Sequence, residues 1–394
     1  YRPLKTYNNI AEGNALRMDW NEVCPAEELD YIIGNPPFVG YAYQNKEQKD
    51  DLKLLCEKDL GNNIDYVAGW YYKSARMMKG TNIRAALVST NSITQGEQVE
   101  GIWKGLFNTY KIHIDFAYRT FRWDSESALK AHVHCVIIGF SEATSSKPKI
   151  IFSSDSTSIA YNINGYLLDA PNSFITKRKL PLCNVPEMSR GSDPVDGGFL
   201  ILTIEEKEAL VEKEPYVEKY IRPFMMGKDF IQRTPRYCLW LVNANPSDIK
   251  KCPQVIERIK NVREFRLKSE RKNTLAKADY PMLFESNRSC NTPYIAIPKV
   301  SSERRIYAPI DYLPAEVIAG DKLFTMPNAG IYEFGILTSS THMSWMRAVC
   351  GRLKSDYSYS NTIVYNNFPW PMPTDAQKEK IEKTAQAILD ARAL

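Results

Sequence analysis

No CxxC pair occurs among the eight cysteines, which stand at 24, 56, 135, 183, 238, 252, 290 and 350. Zinc ribbons need such pairs and a disulfide framework needs dense cysteine, so neither is indicated. A reducing, cytoplasmic setting is the simpler reading. Histidine is scarcer still, with only His113, His132, His134 and His342. His132 and His134 share one face of a strand, but no carboxylate or thiol converges on them. Structural or surface roles are expected for all four, with no metal site. No apolar run approaches the length of a membrane span, and no signal peptide is read. Charge of one sign is also in short supply. Lys and Arg number 51 against 46 Asp and Glu, a formal net charge of +5. This mild excess is compatible with nucleic-acid binding and does not require it. The first residue is Tyr1 and not Met, so a piece of a longer protein is expected.

What the chain does have is material for cores. It has 394 residues, 44% hydrophobic and 11% aromatic, enough for two or three domains. Residues 1–150 read as α/β. An apolar strand, Leu29 to Ile33, stops at Gly34-Asn35-Pro36-Pro37, because two prolines can continue neither a ladder nor a helix. Ile64, Val67, Ala68, Tyr71, Ala75 and Met78 mark a helix within 62–79. A strand at 85–88, a helix at 98–108 and two strands at 112–117 and 133–140 follow. Several strands lack alternation, as expected when both sheet faces are covered. The polar stretch Ser141 to Lys149 is taken as the boundary. Residues 151–372 read as α+β, with helices at 205–220 and 247–272 and strands at 237–242 and 294–300. Residues 373–394 read as a final charged helix with Thr374 as its N-cap.

The chemistry concentrates at Asn35-Pro36-Pro37-Phe38. The carboxyl end of a strand in a parallel sheet is where such folds place their sites. An exocyclic amine is a donor that needs acceptors. The Asn35 amide oxygen and the Pro36 carbonyl can supply two, and proline brings no N–H to compete. Phe38 can stack on a base. The plainer alternative is an Asn/Pro turn with a core Phe, and on composition alone the two are evenly matched.

Asn-Pro-Pro-Phe after a short strand resembles motif IV of the adenine-N6 and related amino methyltransferases. Gly13-Asn14-Ala15-Leu16 resembles their motif III. Thr90 to Gly96 (Thr-Asn-Ser-Ile-Thr-Gln-Gly) is similar to motif V, and Phe121-Arg122-Trp123 to motif VIII. The late run from Cys350 to Asn361, ending in Phe368-Pro369-Trp370-Pro371, resembles the MmeI-like single-chain restriction–modification enzymes. The resemblance covers nearly the whole chain. It implies a truncated S-adenosylmethionine-dependent methyltransferase sheet followed by an α+β target recognition domain. It implies transfer of a methyl group to a flipped adenine in duplex DNA, in the bacterial cytoplasm. Asn35 and the Pro36 carbonyl, held by Pro37, would take the amine. Phe38 would stack on the base and Phe121 would pack on its other side, with Trp123 as the rival. Asn14 matches the position that contacts the cofactor's adenine, where many relatives have Asp, and Asn91 would line the cleft. The glycine-rich cofactor loop and any endonuclease domain would lie upstream in the parent chain. The sheet is therefore expected to lack its first strands and to expose an apolar edge.

Three basic clusters fit phosphate contacts. They are Arg263, Arg266, Lys268, Arg271, Lys272 and Lys277; Lys299, Arg304 and Arg305; and Arg347, Arg352 and Lys354. For any single residue a solvated face is the better account, and Glu303 can pair locally. Arg304, Arg305, Arg347, Arg352 and Lys354 are the expected DNA contacts. Three rivals stand: methylation of cytosine N4, served by the same motif; methylation of a protein or RNA amine, less favoured beside the large DNA-recognition-like half; and a specificity module without activity.

Overall fold

The computed structural model describes residues 9–56, 61, 63–124, 132–143 and 147–393. The chain divides into two compact units. One comprises residues up to Lys177 together with Ala348–Ser355, and the other Arg178–Arg347 together with Asp356–Leu394.

The first unit is built on β1 (Tyr31–Gly34), α1 (Lys46–Cys56), α2 (Ala68–Met78), β2 (Arg84–Thr90), α3 (Gly96–Asn108), β3 (His113–Asp124), β4 (His132–Ser141), β5 (Lys149–Phe152) and β6 (Thr157–Ala160). The six strands form one sheet in the order β1-β2-β4-β3-β5-β6. β1 and β2 are parallel, and β4 is antiparallel to both β2 and β3. β1 is an edge of the described sheet, with Tyr31 65% and Ile33 80% exposed. The helical stripe read from the sequence is the core itself. Ile64, Val67, Ala68, Tyr71, Ala75 and Met78 are all buried, against Trp103, Leu106, Val136, Ile138 and Phe140. The Tyr71 ring stacks on Phe140 at 5.1 Å, and its hydroxyl meets Ser89 Oγ at 2.8 Å.

The sheet continues past the polar stretch at 141–149. β5 pairs parallel with β3, and β6 returns antiparallel on β5. Residues beyond β6 still pack here. A Cβ on Gly165 would stand 2.8 Å from the Trp103 ring, so only glycine lets this segment lie against α3. α1 was not anticipated from the sequence; it buries Leu52 and Leu55 at helical spacing and is mostly charged elsewhere.

Among the described residues the second unit includes two four-stranded sheets, one mixed and one antiparallel throughout. Ile221–Met225 and Arg236–Leu239 form the centre of one, and Tyr294–Pro298 with Leu323–Pro327 the centre of the other. The helix expected over 205–220 ends at Lys213, because Pro215 lacks the N–H to extend it; a 3-10 turn follows. The helix expected over 247–272 is likewise two, Pro246–Ile249 and Pro253–Leu267, each with proline at its start. The terminal helix, Asp375–Ala393, packs within this unit, where a Cβ on Gly335 would meet Ile381 Cγ2 at 2.9 Å. Thr374 Oγ1 accepts from the Gln377 N–H at 3.3 Å, as an N-cap does. Among the described residues no helix is long and apolar enough to cross a membrane.

Candidate active site

Strand direction brings the sequence motifs of the first unit to one end of its sheet. β1, β2 and β3 run the same way, so their carboxyl ends coincide. Asn35–Phe38 leave β1 one residue after Gly34, which pairs with Leu87. Asn91–Thr94 leave β2 directly after Thr90, which pairs with Cys135, which in turn pairs with Phe121. Phe121 is three strand spacings across from β1, roughly 14 Å at about 4.8 Å per spacing. No described ring contact joins Phe38 to Phe121.

Asn35 is exposed, and its amide takes part in none of the described hydrogen bonds. Pro36 is buried and Phe38 half-buried. The chain just beyond is held tightly. The Val39 carbonyl accepts from Tyr66 N at 2.9 Å, Tyr41 N donates to Asp65 Oδ1 at 3.0 Å, and Gln44 Nε2 donates to the Ile64 carbonyl at 2.8 Å. The free amide therefore stands on a turn whose prolines and downstream bonds leave little slack. Asn91 is 8% exposed, and its amide too has no partner among the described hydrogen bonds. Phe121 meets Tyr118 edge-on at 5.4 Å and lies 6.1 Å from Trp123, which is the more exposed ring.

Asn14 is placed differently from these. Its Oδ1 accepts from Leu16 N at 3.0 Å and its Nδ2 donates to Asp51 Oδ2 at 2.9 Å. The side chain thus ties its own loop to α1. Arg17 Nε and the Tyr66 hydroxyl converge on the same carboxylate at 2.5 and 2.6 Å. Burial opposes ionisation of Asp51, but the bonds from Tyr66, Arg17 and Asn14 outweigh it and hold the carboxyl below its ordinary range. Burial and that carboxylate push Tyr66 up to about 12. Beside this network is a cleft of about 550 Å³ lined by Leu16, Arg17, Trp20, Asp51, Lys73 and Met77. Lys73 donates to the carbonyls of Leu16 and Met18. Neither Asp51 nor Asp65 stands out in the sequence, because a single aspartate whose partners lie far along the chain looks like an ordinary solvated side chain.

The basic clusters separate on burial. Arg304 and Arg305 are exposed on the turn 302–307, and Arg347 donates to the Ile306 carbonyl, bracing that turn. Arg352 donates to the Ser355 carbonyl at 2.9 Å, and Lys354 is exposed with a positive φ of 59°. Arg352 and Lys354 pack with the first unit, not the second. Arg266, read as part of a basic surface, is 0% exposed. His113 Nε2 lies 3.2 Å from Asp115 Oδ1, and buried His342, lowered to about 4 by desolvation, meets the Tyr359 hydroxyl at 3.1 Å. The side chain of His132 is outside the described residues.

Comparison with known proteins gives consistent matches. The family model of the MmeI DNA-methyltransferase domain matches residues 1–153, and that of the MmeI target recognition domain matches residues 169–372. DNA methyltransferase A of Bacillus subtilis (strain 168) is 39% identical over 393 residues, covering 99% of this chain and 45% of that protein. A solved structure of the Type IIL restriction-modification enzyme MmeI in complex with DNA is 44% identical, with a TM-score of 0.93. It covers 99% of this chain and 53% of the MmeI chain. The chain spans about half the length of both relatives.

Proposed function

Because the chain belongs to the MmeI family, with that family's methyltransferase and target recognition domains in succession, we propose that the full-length protein methylates the exocyclic N6 amine of an adenine flipped out of duplex DNA. The observation that carries this reading is the exposed, unpartnered Asn35 amide on a braced Pro-Pro turn at the carboxyl end of β1.

Adenine N6 is a poor nucleophile because its lone pair is delocalised into the ring. The Asn35 amide oxygen and the Pro36 carbonyl accept its two N–H bonds, drawing the nitrogen toward a geometry in which the lone pair is localised. The same two dipoles stabilise the positive charge that develops on nitrogen. Phe38 stacks on the extruded base, and Phe121 closes the far side of the cleft. Held by Asn35 and Pro36, the amine nitrogen would be free to accept a methyl group and would then lose one proton to solvent. In-line placement supplies much of the remaining rate.

S-adenosylmethionine, when bound, supplies the electrophilic methyl group. The residues present fit it in part. The nearly buried, unpartnered Asn91 amide suits a polar ligand at the end of β2. Asn14 has both polar ends engaged and acts by fixing the backbone of its loop. The rest of that site belongs, in this reading, to the upstream part of the full-length protein, and the reaction takes place on DNA in the bacterial cytoplasm.

Asn35 and Pro36 serve cytosine N4 equally well, so the product decides. Full-length protein incubated with S-adenosylmethionine and duplex DNA is expected to yield N6-methyladenine on nucleoside digestion. N4-methylcytosine in its place would move the assignment to the other base, and no methylated base would remove it.

Arg304 and Arg305, exposed on the turn braced by Arg347, are proposed to contact phosphates, as are Arg352 and Lys354 on the first unit. Each phosphate contact contributes about 0.9 to the slope of log affinity against log salt. Replacing Arg304 and Arg305 with Ala is expected to lower that slope by roughly 2 on unrelated duplexes, read by fluorescence anisotropy across a salt series. An unchanged slope excludes them from the backbone contacts.

A further inference from the structure

We propose that Asp65 is a positioning residue that locks the Asn35–Phe38 turn to the Asn91–Thr94 turn and so fixes the acceptors that receive the target amine. The proposal rests on the methyl-transfer reading above and assigns no contact between Asp65 and substrate.

Asp65 is 7% exposed and lies just ahead of α2. Three donors converge on its carboxylate from three parts of the chain. Oδ1 accepts from the Tyr41 backbone N–H at 3.0 Å and from Gln98 Nε2 at 2.9 Å. Oδ2 accepts from the Ser92 hydroxyl at 2.5 Å, and Ser92 Oγ also meets Thr90 Oγ1 at 2.8 Å. Tyr41 is three residues beyond Phe38, and Ser92 is next to Asn91. The carboxylate thus joins the segment following the first turn to the second turn itself. Gln98, in the first turn of α3, completes the arrangement. Its Oε1 accepts from the Asp65 N–H at 3.1 Å, so the two side chains hold each other's orientation.

The anchor is rigid. Asp65 opens the approach to α2, its carbonyl accepting from Ala68 N at 3.1 Å, and α2 is buried through Tyr71, Ala75 and Met78. Its neighbours grip the same segment, Ile64 through Gln44 and Tyr66 through Val39. None of the described ion pairs includes Asp65. The charge answers to hydrogen-bond donors alone, an arrangement a carboxylate serves better than any other side chain because it only accepts. Supporting groups of this kind matter because a displacement of about 1 Å at a reacting centre costs on the order of 100-fold in rate.

The test uses the full-length protein. Asp65→Ala removes all three ties. It is expected to lower kcat by roughly 100-fold, with the dissociation constant for duplex DNA and the KM for S-adenosylmethionine within three-fold of wild type. Asp65→Asn keeps one oxygen for Tyr41 and Gln98 and lets the Ser92 hydroxyl reverse its bond, so kcat is expected to recover to within ten-fold. Ser92→Ala cuts only the tie to the second turn and is expected to fall between. A duplex carrying 2-aminopurine at the target base gives a second readout. Asp65→Ala is expected to flip the base yet hold it with a broadened, weaker fluorescence response.

An Asp65→Ala protein with kcat within three-fold of wild type overturns the proposal. So does a kcat loss matched by an equal loss of DNA affinity with no recovery in Asp65→Asn. Should Asp65→Ala not fold, Ser92→Ala and Asp65→Asn decide, and wild-type turnover in Ser92→Ala counts against it. Wild type and Asn35→Ala run in parallel keep the two levels apart. A wild type that transfers no methyl group removes both readings. A dead Asn35→Ala beside an active Asp65→Ala removes this one alone.

Discussion

Asn35→Ala in the full-length protein is expected to lower methyl-transfer turnover by about 100- to 1,000-fold and to leave affinity for duplex DNA unchanged. The magnitude is that of removing one preorganised hydrogen-bonding group aimed at developing charge. The asymmetry follows from placement. The Asn35 amide is exposed, partnerless and at the end of the sheet, so it contributes nothing measurable to the fold and has no phosphate to hold. Its loss therefore falls on the chemical step alone. Phe38→Ala is a useful contrast. If stacking is its role, it weakens retention of the flipped base by about 1–3 kcal/mol, and that loss appears in binding to a mismatched target as well as in turnover. Single-turnover rates at saturating S-adenosylmethionine, with anisotropy on the same duplex, separate the two. An Asn35→Ala enzyme that turns over within ten-fold of wild type removes Asn35 from the reaction.

The turn at Asn35 was legible because proline punctuation is local. Pro36-Pro37 ends a strand whatever the rest of the chain does, and the sheet position follows from the βα rhythm. The buried stripe from Ile64 to Met78 was legible for the same reason, since its period is written in adjacent residues. β5 and β6 were not. They are four-residue strands on either side of polar sequence, stabilised by the pairing of β5 with β3 and of β6 with β5, and pairing partners are not encoded locally. The long helices read at 205–220 and 247–272 failed where Pro215 and Pro253 stand, a signal that was present and outweighed by charge periodicity. The polar networks were the least legible. Asp51 and Asp65 draw donors from residues 15 to 37 positions away, so nothing near either aspartate announces its partners. Arg266 is the sharpest instance. In the sequence it is one of six cations in a run, and only the fold distinguishes it.

Arg266→Met is expected to destabilise the second unit by about 2–6 kcal/mol, from about 1–3 kcal/mol for each carbonyl left without a donor. The guanidinium lies at the end of the helix Pro253–Leu267 with no exposed surface. Every one of its N–H groups is used. Nε donates to the Val195 carbonyl at 2.9 Å, Nη1 to those of Lys277 and Tyr280 at 3.0 and 3.1 Å, and Nη2 to those of Pro194 and Leu283 at 2.9 and 2.8 Å. Five carbonyls from two segments outside any ladder are thereby gathered; those of Pro194, Lys277 and Tyr280 also accept a backbone N–H, and those of Val195 and Leu283 depend on the guanidinium. Burial lowers the pKa of the group, but arginine stays charged at any ordinary pH. Methionine matches the length but donates to none of the five, and it leaves the Val195 and Leu283 carbonyls without a donor among the described hydrogen bonds. Lysine keeps the charge but has three donors on one nitrogen and cannot serve both segments. Arg266→Lys should therefore fare little better than Arg266→Met. Arg263, one turn earlier and exposed, is the control, and its replacement by Ala should change stability by no more than about 0.5 kcal/mol. For a unit of this size 1 kcal/mol corresponds to roughly 2–4 °C, so Arg266→Met should melt about 10 °C below Arg263→Ala. Binding to duplex DNA should be normal below that transition and vanish across it. Melting curves that coincide for the two variants would mean that water has replaced the guanidinium at all five carbonyls, and that Arg266 holds nothing the solvent cannot.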